Sequence, residues 1–100
     1  MKEMKNVKTK IKLPTADGKG KDASYSDLID LAVNQPTKEG FGPVEMRARF
    51  RIIEVCEKAK VNIKFEDSDV IKVKEVVSAF RGFNSISKTA IEFYDAVEAL

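Results

Sequence analysis

The sequence predicts an α+β fold in which four helices pack on a small two-stranded sheet, in the order β-α-α-β-α-α and with more helix than strand. Two segments predict the strands: lysines alternate with apolar or β-branched residues over residues 7–13, and apolar and polar residues alternate over residues 61–65. A period of two is typical of a strand with one buried face. In four other segments the apolar residues recur at intervals of three and four, which predicts amphipathic helices. Such helices can cover a two-stranded sheet, which alone is marginal in water.

The first predicted strand carries a lysine at every second position. We expect these lysines to point to solvent and the residues between them, from Val7 to Leu13, to face the core. If this strand pairs with residues 61–65 in one sheet, Lys64 joins the same outer face. The resulting candidate binding surface comprises Lys8, Lys10, Lys12 and Lys64.

The rest of the N-terminal region shows no strong period. We expect residues 1–6 to form a flexible leader and residues 14–23 to form a mobile loop, since Pro14 ends the strand and Asp17-Gly18 is typical of a turn. The chain of 100 residues is close to the commonest domain size, so it is predicted to form a single domain.

The first two helices have recognisable starts. Ser24 with Asp27 three residues later is typical of a helix N-terminus, and Pro36 follows the end of the first helix. Pro43 suits the first turn of the second helix. The apolar residues of this second helix spread over more than half of its circumference, which predicts a central helix covered on several sides.

The third and fourth helices are separated by the segment Phe80-Arg81-Gly82-Phe83. We interpret Gly82 as a left-handed helix stop of the Schellman type, with a hydrophobic contact between the two phenylalanines. An alternative is an RNA-binding motif of interleaved aromatic and basic residues. The fourth helix is predicted to bury Ile86, Ala90, Phe93, Tyr94, Val97 and Leu100.

Two charges lie within the apolar sector of the second helix. Glu45 and Arg49 are one turn apart, which predicts an ion pair at the edge of the core. The alternative function of Arg49 is that of a charged anchor in a partner-binding surface, where arginine is enriched.

Composition argues against catalysis. The chain has no histidine, the commonest general base near neutral pH and the commonest metal ligand. The single cysteine, Cys56, excludes an intramolecular disulfide, and its apolar helical surroundings predict a core side chain rather than a nucleophile. We therefore expect no catalytic residue, no cofactor and no metal site.

The net charge of +2 is unevenly distributed. The first 23 residues hold seven lysines and three acidic residues, a charge of +4, while the remaining residues carry −2. This basic end makes nucleic-acid binding through the lysine-rich strand an alternative function. No apolar run approaches the length of about 18 residues that a membrane span needs, and no signal peptide is apparent. The predicted location is the cytoplasm.

The pattern as a whole resembles small proteins of similar length from tailed-bacteriophage and prophage genomes. The matching features are the lysine-rich strand, the turn at residues 17–19, the helix at 28–33, the arginine-rich core at 47–52, the Val/Ile helix at 70–77 and the final helix at 91–100. The chain departs from that pattern at residues 41–43 and 80–83. The resemblance implies a phage product that works in a bacterial host cell; these proteins have no assigned activity, so no site residue carries over.

Two function classes follow from these features. The first is a non-enzymatic protein that binds another protein, of the phage or the host, in assembly or in host modulation. The second is a nucleic-acid-binding protein that uses the lysine-rich strand. The oligomeric state is left open between a monomer and a homodimer. An unpaired edge of the first strand would favour a homodimer, whereas lysines along a strand block pairing at its edge and favour a monomer.

Overall fold

The computed structural model describes residues 1–100, which form four helices and two small two-stranded sheets. The elements are β1 (Lys2–Lys5), β2 (Lys8–Leu13), β3 (Lys21–Ser24), α1 (Tyr25–Val33), α2 (Pro43–Lys58), β4 (Asn62–Phe65), α3 (Asp67–Ala79) and α4 (Lys88–Glu98). The predicted α+β class and the predicted order of the main elements are confirmed. β1 and β3 are additional strands. None of the helices is both long and apolar enough to cross a lipid bilayer.

The strands pair differently from the prediction. β1 lies antiparallel to β4, with Met4 opposite Ile63, and β2 lies antiparallel to β3 in a separate sheet. The expected pairing of residues 7–13 with residues 61–65 is therefore wrong. The partner of β4 comes from residues 1–6, the segment predicted to be a leader.

The two unpredicted strands are short and each buries few side chains. Only Met4 is buried in β1, and only Ala23 in β3, so neither strand has a visible apolar alternation. β3 lies within residues 14–24, most of which are predicted to be a mobile loop. Gly18 and Gly20 have φ values of 75° and 76°, which lets the chain reverse direction between β2 and β3.

A junction at Asn6 and Val7 connects the two sheets to the helices. The Asn6 side-chain amide donates to Ser26 Oγ and to the Lys60 carbonyl, both at 3.0 Å, and its Oδ1 accepts from the Ser26 backbone N–H at 2.9 Å. The Val7 carbonyl accepts from the Tyr25 N–H at 2.9 Å. The prediction that Val7 faces the core is wrong: this residue is 42% exposed, because it lies in the junction and not in β2.

The helix starts follow the expected capping chemistry. Ser24 and Asp27 form a reciprocal capping box at the N-terminus of α1, and Pro43 occupies the first turn of α2. The Ser87 side chain accepts from the Ala90 N–H and caps α4. The two serine caps satisfy N–H groups that have no partner within their own helix, while Pro43 has no N–H that would need one.

The buried residues form one hydrophobic cluster to which every helix contributes. Its largest fully buried side chains are Phe65, Phe93, Leu28, Ile29, Ile52, Ile63, Val33, Val73, Val77 and Val97. Ala90, Phe93, Val97 and Leu100 are buried as predicted for the last helix. Ile86, predicted in the same set, is instead 96% exposed, because it precedes α4 and the helical period does not extend to it.

α2 is less covered than predicted. Only Ile52 and Cys56 are buried, although α1, α3 and β4 all contact this helix. These neighbours pack on one side of α2, so apolar residues beyond the sector facing them remain in solvent. Val44, Met46 and Phe50 are 80%, 56% and 57% exposed. The prediction of a helix covered on several sides is therefore wrong.

Candidate binding surfaces

The lysines of β2 are exposed, as predicted, but they do not form a free cationic face. Lys12 makes an ion pair with Asp22 of the neighbouring β3 strand, and hydrogen bonding from Lys12 lowers the pKa of this aspartate. Lys8 and Lys10 form no ion pair within the chain. The predicted charge of this face is thus reduced by a cross-strand contact.

Lys64 belongs to the other sheet, where it lies opposite Glu3 of β1. It lines a depression of about 470 Å³ at the connection between α2 and β4, which we call the basic depression. Its lining residues are Val55, Lys58, Ala59, Lys60, Val61, Asn62 and Lys64. None of its three lysines has a carboxylate within 4.0 Å. The predicted grouping of Lys64 with the β2 lysines is replaced by this second basic cluster.

Arg49 is part of an internal ion-pair network. Its Nε donates to Glu45 Oε1 at 2.9 Å, and its Nη1 donates to the Val33 carbonyl at 2.8 Å. The guanidinium also lies 4.7 Å from the centre of the Phe41 ring. The side chain is only 14% exposed. The predicted ion pair is therefore present, and two of the three guanidinium nitrogens of Arg49 donate within the protein.

Glu45 is the centre of this network. Lys72 of α3 donates to both of its oxygens, at 2.9 and 3.2 Å, and also pairs with Glu75 at 3.0 Å. The hydrogen bond from Lys72, followed by that from Arg49, lowers the pKa of Glu45 below its usual value. The hydrogen bond to Glu45 in turn raises the pKa of Lys72. The network holds α2 against α3 and against the C-terminal end of α1.

The largest apolar concavity lies between the end of α3 and α4. This α3–α4 groove has a volume of about 770 Å³. It is lined by Ser78, Phe80, Arg81, Phe83, Ser85, Ile86, Ser87, Ala90, Ile91, Tyr94 and Glu98. At its rim Ile86 and Ile91 are 96% and 51% exposed. Isolated exposed apolar residues are normal, but two isoleucines beside an apolar concavity are typical of a binding site.

Aromatic packing supports the wall of the groove. The Phe83 ring lies edge-on to Phe80 at 5.4 Å, to Tyr94 at 5.7 Å and to Phe93 at 6.4 Å between ring centres. The Tyr94 hydroxyl donates to the Phe80 carbonyl at 3.0 Å. These contacts connect the wall of the groove to the core through Phe93.

Gly82 serves this packing and not a left-handed helix stop. Its φ is not positive, and a Cβ at this position would collide with the Phe80 ring. The expected contact between Phe80 and Phe83 is present, but the Schellman interpretation is wrong. Glycine is needed here because an aromatic ring lies directly against the backbone.

Cys56 is a core residue, as predicted. It is 7% exposed, and burial raises the pKa of its thiol to about 12. The thiolate, which is the nucleophilic form, is therefore disfavoured near neutral pH. No group of three or more histidine, cysteine or acidic side chains is arranged to hold a metal ion.

The groove and the basic depression are not predictable from the sequence, because each combines residues from separate elements. The one local signal of the groove is an isoleucine at position 86 between serines, before a helix that begins at Lys88.

The chain matches no protein-family model, no curated protein and no solved structure.

We predict that the contribution of Glu45 to stability depends on pH. Its pKa is lower in the folded than in the unfolded chain, so its ion pairs stabilise the fold above the ordinary glutamate pKa. This stabilisation is lost as the pH falls through the folded-state value. Glu45→Gln should lower the free energy of unfolding by about 1 kcal/mol at neutral pH, and the difference from wild type should shrink on acidification.

Urea unfolding at a series of pH values measures this difference. Glu39→Gln is the matched control, since Glu39 is exposed and forms no ion pair. A difference between wild type and Glu45→Gln that remains constant or grows at acidic pH would contradict the role assigned to the network.

Proposed function

We propose that the protein binds an extended segment of another protein in the α3–α4 groove and acts without catalysis. The observation that carries this proposal is the apolar concavity of about 770 Å³ with Ile86 at its rim, 96% exposed. Burying apolar surface of this kind is the main favourable term in most protein association. An apolar groove with a few polar groups at its edge is the usual form of a specific binding site.

The backbone beside the groove favours an extended ligand. The N–H groups of residues 82–86 donate to no other group of the protein, while the N–H of Arg81 donates to the Gln35 side chain at 3.0 Å. The carbonyls of an extended peptide can accept from such unpaired N–H groups while its apolar side chains enter the groove. The resemblance to tailed-phage proteins supports a phage or host protein as the source of the segment.

The side-chain inventory supports binding over catalysis. The chain has no histidine, and its only thiol is buried with a raised pKa. The groove residues are hydroxyl, apolar and aromatic, with Arg81 and Glu98 as the only charges. Arg81 donates to the carbonyls of Ser78 and Phe80, so it completes the end of α3.

We predict that a negative charge at the rim abolishes this binding. Peptides selected on the wild-type protein from a displayed random library should carry apolar side chains. Ile86→Glu should raise their dissociation constant at least about tenfold, the loss expected for removing a major interface residue. Fluorescence anisotropy with a labelled selected peptide gives the constant.

Ile71→Glu is the matched control, because Ile71 is 75% exposed on α3 but does not line the groove. It should bind the selected peptide like the wild type, and thermal unfolding should show that both variants are folded. Failure to select any peptide, or equal binding by the wild type and Ile86→Glu, would overturn the proposal.

A second candidate function is single-stranded nucleic-acid binding at the basic depression. The observation that favours it is the set of three lysines around one depression, none of which has a carboxylate within 4.0 Å. Lysines of this kind can contact successive phosphates. The apolar residues Val55, Ala59 and Val61 provide surface for the rest of the ligand, although no stacking aromatic lines the depression.

We predict that this binding depends on Lys60 and Lys64 and not on the lysines of β2. In gel-shift titrations with a single-stranded oligonucleotide, Lys60→Glu and Lys64→Glu should each weaken binding. Each variant should also reduce the salt slope by about 0.7 for every phosphate that is no longer neutralised. Lys10→Glu is the control and should behave like the wild type. No shift at low salt, or impaired binding only in Lys10→Glu, would contradict this site.

A further inference from the structure

We propose that two copies of this chain associate through the outer face of α2, with the two helices antiparallel about a two-fold axis near Phe50. This face is separate from the groove and the basic depression, so the inference goes beyond the proposed function. It rests on a self-complementary arrangement of exposed apolar and charged side chains.

The outer face has the spacing of a helix-pairing seam. Its residues follow one another at alternating intervals of four and three, which places them on one stripe of a helix. All of them are exposed, and the stripe points away from the buried residues Ile52 and Cys56. The stripe consists of Pro43, Arg47, Phe50, Glu54 and Glu57.

The charges on this stripe match only in the antiparallel orientation. With the axis between the levels of Phe50 and Arg51, Arg47 of each copy comes level with Glu54 of the other copy, so two ion pairs form. A parallel arrangement would instead bring like charges together, which is unfavourable. Neither Arg47 nor Glu54 forms an ion pair within its own chain. Both charges are thus available to a second copy.

Phe50 supplies the apolar centre of this contact. Phe50 and Met46 are 57% and 56% exposed, and together with Arg47 and Arg51 they line a depression of about 500 Å³. This depression lies close to the level of the proposed axis and can receive the Phe50 ring of the second copy. Aromatic, methionine and arginine side chains are the types enriched at protein interfaces.

The length of α2 and the small contact area of one helix pair favour a weak dimer, whose population depends on the protein concentration. α2 has 16 residues and is therefore about 24 Å long. One helix pair provides a contact at the small end of specific interfaces. The α3–α4 groove contains none of the residues of the α2 stripe, so the dimer would carry two open grooves. A partner with repeated or several identical binding segments could then occupy both grooves at once.

Charge reversal tests the proposed geometry directly. Sedimentation equilibrium over a concentration series should show a monomer–dimer equilibrium for the wild type. Phe50→Glu, Arg47→Glu and Glu54→Arg should each raise the dimer dissociation constant at least about tenfold. The double variant Arg47→Glu/Glu54→Arg should restore it towards the wild-type value, because each ion pair is re-formed with its signs exchanged.

Control variants distinguish the proposed dimer surface on α2 from the α3–α4 groove. Ile71→Glu and Ile86→Glu should dimerise like the wild type, and Phe50→Glu should still bind groove peptides. A wild-type protein that is monomeric at every attainable concentration would overturn the dimer, as would single reversals without effect. If the double variant dimerises as weakly as the two single variants, with an equally high dissociation constant, the antiparallel pairing of Arg47 with Glu54 is overturned.

Discussion

The hydrogen bonds of Asn6 join the end of the β1–β4 ladder to the start of α1, two parts of the chain that no ladder connects. Its side chain bonds to Ser26 in the first turn of α1 and to the Lys60 carbonyl in the connection between α2 and β4. Its own backbone N–H donates to the Val61 carbonyl at 2.9 Å. One amide side chain can do this because it both donates and accepts. The two sheets therefore have a fixed relation to the start of α1 and the end of α2.

The candidate surfaces depend on this framework in different ways. The carbonyl bound by Asn6 belongs to Lys60, so the same hydrogen bond holds the backbone of the basic depression. The network of Arg49, Glu45 and Lys72 then fixes α2 against α1 and α3, which leaves the opposite side of α2 in solvent. The α3–α4 groove is held independently, through the aromatic contacts of Phe83.

Features determined by neighbours in sequence are predictable. The exposure of Lys8 and Lys10 follows from a period of two, and the pairing of Glu45 with Arg49 follows from one helical turn. Strand pairing is not predictable in this way, because β1 presents only Met4 to the core and an alternation so short gives no signal. The exposure of Ile86 and Phe50 depends on which sides neighbouring helices leave uncovered, and helical periodicity alone does not contain that information. The proposed groove and dimer surfaces lie at these two positions.

The most direct test of this account is the stability of Asn6→Ala. The substitution removes three side-chain hydrogen bonds between distant segments, each worth about 1 kcal/mol. Asn84→Ala is the control, since Asn84 is exposed and its side chain makes no hydrogen bond. Urea unfolding should show that Asn6→Ala is less stable by about 2 to 3 kcal/mol, with little change for Asn84→Ala. Equal stability of the two variants would contradict the central role of the Asn6 junction.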